Sequence, residues 1–233
     1  MLLKIMASIA GWLADYLGMS RRGRSTPIET AEGLRHFLET RASHVAQTSL
    51  YGYVRTRAGT RYLELFQEEE FVDALNIAKW QIWLTCFADL AVYAGTLIFR
   101  HGALTAEQVT HLMRTVADEA MAAVGTPADA GPAFADGVRH VQSRLDRTDW
   151  SSITDDEQAF CESPGALVEW APVVDELKQY DTEIVENSMR FRWHEIRRNL
   201  RRDLDIEAVI APLLGHSGPP PLVSGGDRPD QIH

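Results

Sequence analysis

Asp89 sits in the middle of the most apolar run of the chain, Phe71 to Arg100. A carboxyl group in such a setting must be paired or must take up a proton, and held in either state it can act as acid, base or orienting group. Wound at 3.6 residues per turn, Lys79, Thr85, Cys86, Asp89, Tyr93 and Thr96 fall close to one line. Lys79, Asp89 and Tyr93 are therefore the candidate catalytic residues, with His36 and His44 as candidate neighbours from another element. Chemistry there would suit an apolar small molecule, as substrate or cargo, bound against the aromatic-rich run. The competing role is structural, and it is the one expected: Asp89 accepts hydrogen bonds from an arginine, tyrosine or histidine of a neighbouring helix and sets the packing register.

A second group of charges lies between Arg190 and Arg202, where arginines are interleaved with Phe191 and Trp193. Arg190, Arg197 and Arg201 are the candidate anion ligands, suited to a lipid headgroup, a phosphorylated ligand or an acidic protein face. Against this stands pairing with Asp203 and Asp205 near a helix C-terminus, which favours positive charge in any case. Glu186 and Arg190 also have the favoured i, i+4 order.

Other patterns carry less chemistry. His36 has Glu32 four residues before it and Glu39 three after it, but a di-metal bundle needs a Glu-x-x-His motif on each of two helices, and the chain has none. Surface pairing is expected there, with no metal and no cofactor. Gly215-His216-Ser217-Gly218 resembles part of a serine-hydrolase elbow, yet its last glycine is misplaced and no strand precedes it.

Composition narrows the partners. A chain of 233 residues with 45% hydrophobic content can bury a sizeable core. A net charge of −10 disfavours duplex nucleic acid, which calls for a basic surface. The two cysteines, Cys86 and Cys161, make no disulfide framework, so a reducing, cytoplasmic setting is expected.

The elements that would position these residues are helices. Residues 1–24 form an amphipathic segment in which Leu2, Ile5, Ile9, Trp12, Leu13 and Tyr16 share one face, followed by the basic cluster Arg21, Arg22 and Arg24. Such a segment suits the anionic inner face of a membrane, and it suits equally a docking face on protein. Thr26-Pro27-Ile28-Glu29 reads as a capping box that starts a helix running to about Arg57, which Gly59 stops. Tyr62–Phe66 is a short turn, and Glu68, Glu69 and Glu70 lead into the central apolar helix. A membrane span is the rival reading of that helix, disfavoured because a central aspartate costs roughly 2.5–3.5 kcal/mol on insertion. Thr105 and Gln108 open a further helix that Gly125-Thr126-Pro127 ends, and Phe134, Val138, Val141 and Leu145 mark another. A loop covered through Trp150 and Phe160 follows, and Ser163-Pro164 restarts helix, with a kink at Pro172, as far as about Asp205.

These signals define an all-α protein. A single bundle of about six helices over residues 25–213 is flanked by the amphipathic segment and a flexible Pro/Gly-rich tail, 214–233. The leading expectation is a non-catalytic scaffold that binds a protein partner or a membrane surface, and the alternative is an enzyme or carrier built around Asp89.

Overall fold

Glu69 and Glu70 occupy the first turn, and Arg100 and His101 the last, of a helix that runs from Glu69 to His101, so its charges complement its dipole at both ends. Gly102 ends it with φ at +83°, a left-handed conformation that a side chain would strain. A computed structural model describes residues 26–154 and 157–215 of the chain. The amphipathic segment 1–24 and the tail from residue 216 onward lie outside the described residues.

Among the described residues the chain forms α1 (Ala31–Ala58), α2 (Tyr62–Leu65), α3 (Glu69–His101), α4 (Ala106–Val124), α5 (Phe134–Arg147), α6 (Ser163–Trp170), α7 (Asp175–Asp203) and α8 (Ile206–Leu214). It is an all-α bundle. The strand-like contact among the described residues is one isolated bridge between Ile28 and Leu204. Helix α3 packs against α1, α4, α5 and α6, and α7 packs against α1 and α6.

The apolar length of α3 would pass for a membrane span, with a mean hydropathy of 1.7 over its best window, but 83% of that window is buried inside the bundle. Ile82, Leu84, Phe87, Leu90, Tyr93 and Ile98 are all inaccessible to solvent or nearly so. Each such large side chain contributes about 1.5–3 kcal/mol when fully buried. The burial explains why the helix is apolar on nearly every face.

Several boundaries agree with the sequence patterns. Thr105 and Gln108 make both halves of a capping box at the start of α4. The described residues between α5 and α6 form no helix, and Trp150 and Phe160 are buried as anchors of that connection. Trp150 lies against the backbone of Gly95, where an added Cβ would come within 2.5 Å of its ring, and its indole N–H donates to Thr110 Oγ1 at 2.8 Å. The absence of a side chain at Gly95 is thus what seats the loop on α3.

Three boundaries differ. Thr26 does not cap a helix: α1 begins at Ala31, and Thr30 Oγ1 accepts from the Gly33 N–H at 3.0 Å. Tertiary pairing explains it, because the Ile28 N–H donates to Asp203 O at 2.7 Å and the Asp205 N–H donates to Ile28 O at 3.0 Å, which holds Ile28 extended. At Pro172 the chain breaks instead of kinking, since the residue before proline is driven to extended geometry and Ala171 has ψ of 132°. Helix α7 then starts afresh at Asp175. Leu214, placed in the tail by composition, is the last residue of α8.

Candidate functional site

Asp89 is fully buried and fully engaged. Arg144 of α5 donates to its Oδ1 at 2.6 Å, the Ser163 N–H donates to Oδ2 at 2.8 Å, and the Glu162 N–H donates to Oδ1 at 3.3 Å. The carboxylate therefore caps the N-terminus of α6 from a different helix, where backbone N–H groups and the helix dipole both favour negative charge. Ser163 Oγ in turn accepts from the Trp193 indole N–H of α7 at 3.1 Å. One side chain ties α3, α5 and α6 together directly, and α7 through Ser163.

Arg144 is the other centre of this network. Besides Asp89 it donates to Ala159 O at 2.9 Å and approaches Glu162 at 3.0 Å, while His140 lies 2.8 Å from the same Glu162 oxygen. Burial pushes the Asp89 carboxyl above its ordinary value, with Arg144 and Ser163 pulling it back part of the way. Burial works to lower Arg144, but Asp89 and Glu162 leave it above its usual value, so the guanidinium stays charged. The same burial, reinforced by Asp89, pushes the Cys86 thiol well up, which makes it a poor nucleophile. Cys161 is exposed, and its thiol is also raised, by partial burial first.

The other residues singled out by type and spacing are spread along α1 and α3. Tyr93 is buried one turn further along α3, with its ring 5.3 Å from Phe160. Lys79 binds Asp129 at 2.9 Å and lies over the Trp80 ring, and the Trp80 indole N–H donates to the other Asp129 oxygen at 2.8 Å. His36 is exposed on α1. An open cleft of about 310 Å³ is lined by Glu107, Gln108, His111 and Leu213, all remote in sequence from Asp89. Among the described residues no group of His, Cys, Asp and Glu could hold a metal ion.

His44 is half-buried between α1 and α7, and its pKa is lowered from 6.5, by burial first and then by Arg41 and Arg192. The unfolded chain therefore binds this proton more readily than the folded one. Stability from this group is present above pH 6.5 and is lost as pH falls from there towards the lower folded value. Urea unfolding at pH 7.5 and at pH 5.5 is expected to show a loss of stability that His44→Gln reduces; an unchanged difference would contradict the assignment.

The candidate anion ligands are dispersed. Arg190 is exposed and bonds Glu186 at 2.8 Å and Asn187 at 2.9 Å. Arg197 is buried: it lies over the Phe160 ring and donates to Glu157 at 3.3 Å. Arg201 is exposed one turn beyond it. Arg197 thus secures the covered loop to α7. The proposed membrane residues Leu2, Ile5, Ile9, Trp12, Leu13, Tyr16, Arg21, Arg22 and Arg24 lie outside the described residues.

A surface that sequence reasoning passed over is the outer face of α7. Val185, Met189, Trp193, Ile196 and Leu200 form its buried seam as their spacing implies, and Asp181, bonded to Tyr53 and Arg57, fastens it to α1. Opposite that seam, Leu177, Tyr180, Ile184 and Phe191 point into solvent, the last three 77%, 72% and 77% exposed. With Asn187 they recur at intervals of three and four, the spacing of a helix-pairing stripe. The signal was present in the sequence as a second apolar periodicity within one helix, masked by the charged residues between its members.

No family model matches this chain, and neither a curated protein nor a solved structure matches it.

Proposed function

We propose that this chain is a non-catalytic helical protein that binds a partner by receiving an amphipathic helix on the outer face of α7. The observation that carries this reading is the exposed stripe Leu177, Tyr180, Ile184, Asn187 and Phe191. Large apolar side chains scattered singly over a surface are ordinary, whereas a row aligned along one helix offers continuous area to be removed from water. The partner's chemistry follows from the row. Apolar residues at alternating intervals of three and four would lie against it, and Asn187, whose Oδ1 accepts from Arg190, would place the one polar position of the row. Support also comes from the bundle interior, where the carboxylate best placed for chemistry already has its charge and lone pairs engaged.

The test places a photoreactive phenylalanine analogue at Tyr180 of the full chain in its native cells. Expected is a dominant adduct with one other protein, mapped to an amphipathic segment and absent when the probe stands at the exposed Glu119 on α4. Adducts the same at both positions, or none at Tyr180, would overturn the reading.

A further inference from the structure

The outer face of α7 and the N-terminal segment carry the same apolar spacing. Leu177, Tyr180, Ile184, Asn187 and Phe191 are separated by three, four, three and four residues, and so are Leu2, Ile5, Ile9, Trp12 and Tyr16. We infer that residues 2–16 of this chain dock on the exposed α7 stripe, parallel to α7, and occupy the face until a partner helix displaces them. This rests on the reading of the α7 face as a docking surface and adds its resident occupant.

Connection and reach support that occupant. The described chain begins at Thr26, and Ile28 is fixed beside the C-terminal end of α7 through its bonds to Asp203 and Asp205. Phe191 lies ~20 Å back along the helix from Leu204 at 1.5 Å per residue. The roughly ten residues between Tyr16 and Ile28 can span up to ~35 Å when extended, so Tyr16 reaches Phe191 with slack. From there a helix can run back along α7 only with Leu2 towards Leu177, which sets the parallel direction.

Chemistry agrees with that register. Leu2 falls opposite Leu177, Ile5 opposite Tyr180, Ile9 opposite Ile184 and Tyr16 opposite Phe191, while Trp12 brings an indole N–H to Asn187, the polar member of the stripe. A tethered segment needs little intrinsic affinity, because the connection holds it at an effective concentration of order millimolar. Partner binding then becomes a competition that the N-terminus regulates.

Disulfide trapping on the purified full chain tests this without any partner. Cys86 is buried and Cys161 exposed, so the background carries Cys161→Ser. Mild oxidation of Ile9→Cys with Ile184→Cys is expected to close a bond within one chain, about tenfold faster than Ser8→Cys with Ile184→Cys, whose first cysteine lies off the apolar face. Equal rates for the two pairs, or a bond formed only between chains, would overturn self-docking. As a second measure, hydrogen exchange over residues 177–191 should rise in Ile9→Asp, and no change there would overturn it too. If the segment instead serves a membrane, the full chain floats with anionic vesicles and leaves residues 177–191 unprotected, again against the inference. Trapping reads only contacts within the chain, so its failure leaves the Tyr180 adduct experiment, and the partner reading, standing. If both hold, Ile9→Asp raises the yield of that adduct several-fold.

Discussion

Asp89→Asn is expected to destabilise the bundle by about 3–5 kcal/mol, the usual cost of removing one member of a buried ion pair. For a chain of this size that corresponds to a fall in melting temperature on the order of 10 °C. The asparagine amide can keep the partners of only one oxygen, and its N–H₂ then faces donors at the other, either the Ser163 N–H or Arg144 and the Glu162 N–H. Arg144 is left buried with Glu162 and the Ala159 carbonyl as its remaining partners. The companion variant removes both charges: Asp89→Leu with Arg144→Met is expected to lose less than the sum of the two single losses, because it strands no charge. Thermal and urea unfolding of the parent, Asp89→Leu, Arg144→Met and the double variant measure this. Additive losses would mean that the two side chains do not act as a pair.

Trp150→Ala is expected to cost about 3–5 kcal/mol, the range for deleting a large buried aromatic side chain. Its ring fills the space over Gly95, and its indole N–H is paired with Thr110, so the alanine leaves both a void and an unmatched hydroxyl. The loss falls on the connection that delivers Glu162 and Ser163 to Asp89. Hydrogen exchange should therefore rise first in residues 157–170, ahead of global unfolding. Exchange that rises uniformly over the molecule would show that Trp150 supports the core as a whole and not this connection.

How far the sequence foretold the molecule depends on whether a signal was local. The α4 capping box, the glycine stop after α1, and the buried seam of α7 are short-range patterns, and each appears in the structure. The start of α1 departs from the local Thr26 pattern because Ile28 answers to Asp203 and Asp205, residues far away in the chain. Asp89 was legible as a buried carboxylate awaiting a partner, but which arginine met it was not. In hindsight Arg144 lies on the same stripe as Val141 and Leu145, an arginine set among apolar positions. Ser163 offered no such hint, since its role is to present a backbone N–H at a helix start. Lys79 shared the polar line of Asp89 but stands nearly three turns away, where Asp129 satisfies it.

If the outer face of α7 meets another helix, as proposed, its side chains are separable from the core that sets the fold, and one variant probes that separation most directly. Ile184→Asp with Phe191→Asp alters side chains that are 72% and 77% exposed, where substitutions usually shift stability by no more than about 0.5 kcal/mol. Melting temperature and the yield of the Tyr180-probe adduct, measured together on this variant, are predicted to diverge: melting within about 2 °C of the parent, and adduct lost. An adduct that persists, or melting as low as that of Asp89→Asn, would contradict a helix-binding role for this face.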